Sequence, residues 1–77
     1  MIYDRRELGA LRERFPKGCR VILDRMEDMQ APPAGTMGTV IGVDDMGTIH
    51  VRWDTGSSLG VVLPVDACHR ADEGRGL

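Results

Sequence analysis

The chain has 77 residues and a formal net charge of −2, with one tryptophan, one tyrosine and one phenylalanine. A chain of this length buries only about 60% of its unfolded surface, so it has apolar material for one core and one domain. No segment approaches the roughly 20 consecutive apolar residues of a membrane span, and early charges occupy the place of a signal peptide's apolar core. Composition therefore excludes a membrane-spanning protein and predicts a cytoplasmic one.

The first predicted element is a helix over about residues 4–14. Asp4 is a candidate N-cap, with Glu7 placed three residues later to complete a capping box. Pro16 and Gly18 end the helix, because proline lacks an N–H donor and glycine turns freely. An apolar stripe at helical spacing is formed by Leu8, Leu11 and Phe15. The helix is expected to dock this stripe on the rest of the domain.

Five later segments have the composition of β-strands. Consecutive prolines exclude a central strand between residues 27 and 35, and Gly42 is placed for a bulge. Gly56 lies where a turn needs a positive φ. The predicted strands are residues 19–23, 39–43, 49–54, 58–63 and a short last strand within 65–69.

These elements predict a mainly β domain. The expected architecture is a small five-stranded SH3-like barrel preceded by one short N-terminal helix, since closing a sheet removes its exposed edges with few residues. The domain would span residues 1–70, with the barrel over about 19–70 and a flexible tail over 71–77.

Spaced segments of the chain also carry a family resemblance. They are Gly18-Cys-Arg-Val, Met26-Glu-Asp, Ala31-Pro-Pro-Ala-Gly-Thr, Gly38-Thr-Val-Ile-Gly-Val-Asp-Asp-Met-Gly and Ile49-His-Val-Arg-Trp-Asp-Thr-Gly-Ser-Ser-Leu. Together they resemble the bacterial family catalogued as domain of unknown function 4314. The part from Gly38 to Gly56 is similar to SH3-like barrels of the KOW and Mib/Herc2 types. The resemblance implies an SH3-like fold in small proteins of bacteria, phages and mobile elements, without an assigned activity.

Acidic residues accumulate in the predicted turns. Residues 1–20 contain six basic and three acidic side chains, and the remainder contains four basic and nine acidic ones. If the acidic turns cluster, their natural partner is a basic protein surface, whose approach they would steer electrostatically. In a mobile-element protein this suggests an adaptor or inhibitor of a nucleic-acid-handling host protein, for example a defence nuclease. The candidate contact residues are Asp24, Glu27, Asp28, Asp44, Asp45 and Asp54. The alternative is that such turns are only solvated caps.

Direct nucleic-acid binding is the second hypothesis. SH3-like and KOW barrels bind nucleic acid, and the helix offers four arginines. The chain has few aromatic rings on which bases could stack. The arginines could equally form a solvated helix face paired with carboxylates. The candidate residues are Arg5, Arg6, Arg12 and Arg14.

A homodimeric aspartic protease is a more distant hypothesis. Residues 54–57 read Asp-Thr-Gly-Ser, which resembles the catalytic segment of those enzymes, where paired aspartates share a proton. One such segment in each chain would require a dimer. A hairpin turn whose aspartate accepts backbone hydrogen bonds explains the same residues without catalysis. The expected function is therefore binding without catalysis.

The two cysteines raise the question of a metal site. In a reducing compartment Cys19 and Cys68 are free thiols or metal ligands rather than a disulfide. Neighbouring first and last strands would bring the two thiols together, with His69 adjacent and His50 or a carboxylate as the fourth zinc ligand. Successive strand residues point to opposite faces, which argues against His69. Buried, small apolar cysteines are the alternative.

Overall fold

The computed structural model describes residues 3–73. One helix precedes a four-stranded antiparallel sheet whose strand order is β3-β2-β1-β4. The predicted neighbourhood of the first and last strands is therefore confirmed. The elements are α1 (Arg5–Arg14), β1 (Arg20–Arg25), β2 (Met37–Val43), β3 (Ile49–Trp53) and β4 (Ala67–Arg70).

The helix begins with the predicted capping box. Oδ1 of Asp4 accepts a hydrogen bond from the Glu7 amide at 2.8 Å, and Oε1 of Glu7 accepts from the Asp4 amide at 2.9 Å. Leu11 and Phe15 of the predicted stripe are buried in the core, whereas Leu8 is only partly buried and does not belong to the core. None of the helical structure in residues 3–73 is long and apolar enough to cross a membrane.

The alternation of the strands produces one buried face. In β3, Ile49, Val51 and Trp53 are buried while the intervening side chains are exposed. The register between β2 and β3 shifts between Val40 and Gly42, which confirms the predicted bulge. The buried apolar core consists of Leu11, Phe15, Val21, Leu23, Val40, Ile49, Val51, Trp53, Val61 and Cys68.

The prediction of five strands closed into a barrel was wrong: within residues 3–73 the sheet has four strands and is open. The backbone of the predicted strand 58–63 pairs with β3 at one bridge, in which Val61 and Ile49 exchange two hydrogen bonds of 2.8 and 2.9 Å. On either side, side chains take the backbone groups that a strand would use. The Trp53 indole donates to the Leu59 carbonyl at 2.9 Å, and the Val62 amide donates to the Asp66 carboxylate at 3.0 Å.

The predicted tail begins as a turn. Residues 71–73 form a turn in which the Glu73 amide donates to the Arg70 carbonyl at 3.0 Å. The Glu73 carboxylate also contacts Arg14 at 3.1 Å, which ties this turn to the end of α1. The rest of the predicted tail, residues 74–77, lies outside the described part of the chain.

Candidate functional site

The six acidic candidates do not form a single cluster. Asp44 and Asp45 lie in the turn between β2 and β3, whereas Asp54 follows β3. β1 and β3 both run antiparallel to β2, so their last residues lie at the end of the sheet where β2 begins. Asp24 and the following acidic residues therefore share an end with Asp54, and the turn at 44–48 occupies the opposite end.

Four of these carboxylates already contact a basic or imidazole side chain of their own chain. The pairs are Asp24 with His69 Nδ1 at 2.9 Å, Asp44 with His50 Nε2 at 2.8 Å, Asp45 with Arg12 at 2.9 Å and Asp54 with Arg20 at 2.6 Å. The hydrogen bond from His50, followed by the backbone amide of Thr48, lowers the pKa of Asp44. These four residues match the alternative in which acidic turns cap and pair within the domain.

Asp54 is held most completely. Arg20 donates two parallel hydrogen bonds to its carboxylate, at 2.9 and 2.6 Å, and a third to Oγ1 of Thr39 at 2.9 Å. The hydrogen bond from Arg20 lowers the pKa of Asp54 and keeps the carboxylate ionised. An aspartic protease needs the reverse arrangement, in which two carboxylates share one proton. The Asp-Thr-Gly-Ser segment is thus built as an anchored turn, with Gly56 at φ 100°.

Glu27 and Asp28 differ from the other four. Within residues 3–73, neither carboxylate lies within ion-pair distance of an arginine, lysine or histidine. Oδ1 of Asp28 accepts a hydrogen bond from the Gln30 amide at 2.8 Å, which shapes the loop after β1. Both residues are exposed. Their charges are the part of the acidic set that remains available to a partner.

The loop that carries them is fixed by a buried carboxylate. Asp66 is only 8% exposed and accepts the amides of Glu27 at 3.1 Å and Val62 at 3.0 Å, one on each oxygen. Arg25 adds a second tie by donating to the carbonyls of Val65 at 3.1 Å and Pro64 at 2.6 Å. The loop after β1 is therefore joined to segment 61–66. Glu27 is held through its backbone amide, which leaves its side chain free.

Exposed apolar side chains accompany these two carboxylates. Met29, next to Asp28, is fully exposed, and on the joined segment Val62 is 48% and Val65 53% exposed. We call Glu27, Asp28, Met29, Val62 and Val65 the acidic loop surface. Apolar groups beside unpaired charges are typical of surfaces that contact proteins.

The helix arginines divide into two pairs. Arg12 contacts Asp45, and Arg14 contacts Glu73 and also stacks on Phe15 at 5.1 Å from the ring centre. Arg5 and Arg6 form no ion pair within the described residues. The ion pairs of Arg12 and Arg14 thus join α1 to the turn between β2 and β3 and to the turn at residues 71–73.

Stacking platforms for bases are lacking in the described part of the chain. Trp53 and Phe15 are each only 1% exposed, and both belong to the core. Tyr3 is half-buried, packs against the core and lies over Gly47. Single-stranded nucleic acid would find no exposed ring on which to stack.

The sheet separates His69 from the two cysteines, which both pack on the core side. Cys68 is buried on the inner face opposite Leu23, whereas His69 points outward to Asp24. Cys19 precedes β1 and is half-buried. Among residues 3–73, no group of three or more histidine, cysteine, aspartate or glutamate side chains is arranged to hold a metal ion. Burial raises the pKa of both thiols, that of Cys68 to about 11, as expected for cysteines that pack as apolar residues.

Sequence reasoning missed Asp66, because an isolated aspartate after a proline and a valine has the appearance of a turn residue. It also missed the pairing of Arg20 with Asp54, whose positions are 34 residues apart and come together only through the register of the sheet. No local signal distinguishes either residue from an ordinary surface charge.

Comparison with known proteins places the chain in one family. No curated protein and no solved structure matches the chain. A family model described as domain of unknown function (DUF4314) matches residues 4–71, which include α1, all four strands and the acidic loop surface. The chain therefore belongs to the DUF4314 family.

Proposed function

We propose that this protein is a non-catalytic protein-interaction module that contacts a basic protein surface through the acidic loop surface. The observation that carries the proposal is the contrast between Glu27 and Asp28, which have no cationic partner in residues 3–73, and the four acidic candidates that do. A partner's lysines and arginines would supply the missing counter-charges.

The geometry favours binding because the loop is ordered before a partner arrives. Asp66 and Arg25 join the loop to segment 61–66 by three hydrogen bonds, and Asp66 also accepts the amide of Val62 within that segment. A pre-organised loop loses less conformational freedom on association than a free one, which leaves more of the contact energy as affinity. Val62 and Val65 then provide apolar area beside the charges.

The local charge is also suited to a basic partner. In the loop after β1 and segment 61–66, Glu27, Asp28 and Asp66 carry three carboxylates beside the guanidinium of Arg25, whose hydrogen bonds go to carbonyl oxygens. An excess of one sign accelerates the encounter with a surface of the opposite sign. The basic nucleic-acid groove of a host enzyme is one surface with this character.

The test is a comparison of captured proteins. Wild-type protein is immobilised beside a Glu27→Lys and Asp28→Lys double variant and a control, Glu13→Lys with Asp45→Lys, that makes the same change in net charge elsewhere. We expect a host protein that is retained by wild type and by the control, and that is lost with the Glu27→Lys and Asp28→Lys variant. Equal retention by all three proteins, or loss with the control alone, would overturn the proposed surface.

A further inference from the structure

A groove of the opposite charge lies on the outer face of the sheet. Arg20 of β1, Thr39 of β2 and Arg52 of β3 are directly opposite one another in the strand register, and their side chains point away from the core. Beside this row is a surface groove of about 190 Å³. It is lined by Lys17, Gly18, Thr39, Val40, Ile41 and Arg52.

The groove has two basic groups without an internal partner. Lys17 and Arg52 are exposed, and neither lies within ion-pair distance of a carboxylate in residues 3–73. Arg20, in the same row, is held by Asp54 and Thr39. The contrast shows that this face neutralises one of its arginines and leaves the charge at the groove uncompensated.

The wall of the groove is apolar. Ile41 is 43% exposed between the charged positions, because its side chain points to the face of β2 opposite to that of the buried Val40. A bound group must therefore offer a negative charge to Lys17 and Arg52 and an apolar surface to Ile41.

We propose that this groove binds an acidic segment of a partner protein, with a carboxylate between Lys17 and Arg52 and an apolar side chain on Ile41. A nucleic-acid backbone fits less well. Exposed aromatic rings are lacking among the described residues, and the apolar side chain of Ile41 offers nothing to a phosphate.

This site is independent of the acidic loop surface. Lys17 precedes the first residue of β1, whereas Glu27 follows its last residue, so the two sites lie at opposite ends of that strand. Variants at one site can therefore be made without altering the charges of the other.

The experiment uses the full chain labelled with ¹⁵N and an eight-residue peptide of alternating glutamate and valine. The amide signals of Gly18, Thr39, Ile41 and Arg52 should shift together as the peptide is added. Arg52→Glu, and separately Lys17→Glu, should weaken binding by about fivefold or more, which corresponds to an exposed ion pair at the upper end of its usual range. Arg5→Glu makes the same charge change on the helix and should bind as wild type does.

Several results would overturn the proposal. They are the absence of localised shifts, equal binding of a matched lysine and valine peptide, and unchanged binding by both groove variants. A 20-base-pair DNA duplex that shifts the same signals at lower concentration would assign the groove to nucleic acid instead. Spectra of each variant without peptide show whether it is folded. If Arg52→Glu fails to fold, Lys17→Glu still tests the groove, because Lys17 lies outside the strands. The Glu27→Lys and Asp28→Lys variant should still bind the peptide, which separates this proposal from the acidic loop surface.

Discussion

The indole ring of Trp53 lies directly against Gly38 on the strand beside it. A β-carbon added at Gly38 would be 2.7 Å from Cε3 of the ring and 2.9 Å from the carbonyl oxygen of Arg52. Real β-carbons essentially never approach other atoms so closely. The position of the largest core side chain thus depends on the absence of a side chain on the facing residue.

Gly38→Ala should therefore destabilise the domain. Overpacking of a well-packed core costs about 1–3 kcal/mol, a large fraction of the stability of a small domain. The matched control is Gly9→Ala in α1, where an added β-carbon meets nothing within 4 Å. This substitution should raise the free energy of unfolding by about 0.5–1 kcal/mol, because alanine favours the helix more than glycine does. Urea denaturation of both variants measures the difference. Equal stability of the two would show that Trp53 does not pack on Gly38.

Asp66→Ala should loosen the loop that carries the acidic loop surface. Removing the carboxylate leaves the amides of Glu27 and Val62 without their acceptor, at a cost of about 2 kcal/mol. Hydrogen exchange of those two amides should accelerate more than that of the β3 amides. Glu13→Gln on the helix surface is the control and should change neither rate. Unchanged protection of the Glu27 amide would show that Asp66 does not hold this loop.

The ion pair between Arg20 and Asp54 predicts a specific pH dependence. Because the pKa of Asp54 is lowered below its ordinary value of 3.8, the pair stabilises the fold fully above that value. The contribution is lost as pH falls through the folded-state pKa. The melting-temperature difference between wild type and Asp54→Asn should therefore be largest near pH 7 and narrow below about pH 4. Arg20→Gln should behave in the same way, and a constant difference across the range would argue against the pair.

The cysteines should react slowly and in a fixed order. The thiolate is the reactive form, and burial raises the pKa of Cys68 to about 11. Iodoacetamide at pH 7.5 should therefore modify the half-buried Cys19 before Cys68, as followed by mass spectrometry. A chelator should leave both rates unchanged if the thiols are core residues. Acceleration by chelator would instead support the zinc hypothesis.

Local patterns predicted most of the secondary structure. The capping box at Asp4 defines the start of the helix, and the alternation from Ile49 to Trp53 defines a strand with one buried face. The bulge at Gly42 and the positive φ of Gly56 also follow from short segments. These features depend on residues close in sequence, and sequence alone contains that information.

The errors concern contacts between distant residues. Residues 58–63 have strand-like composition, but the indole of Trp53 and the carboxylate of Asp66 take backbone groups that a ladder would use. The acidic set was likewise overestimated, because a partner such as Arg20 for Asp54 is identified only by strand register. Whether a charge is free or paired within its own domain is decided by tertiary structure.

The rate at which the captured partner associates with the protein at low and high salt tests the acidic loop surface most directly. Under the proposed function, Glu27→Lys with Asp28→Lys slows association roughly tenfold. Added salt slows wild type toward the same value, and Arg5→Ala with Arg6→Ala has little effect. Salt-sensitive binding to duplex or single-stranded nucleic acid that disappears with Arg5 and Arg6, while the Glu27 and Asp28 variant associates normally, would contradict the proposed function.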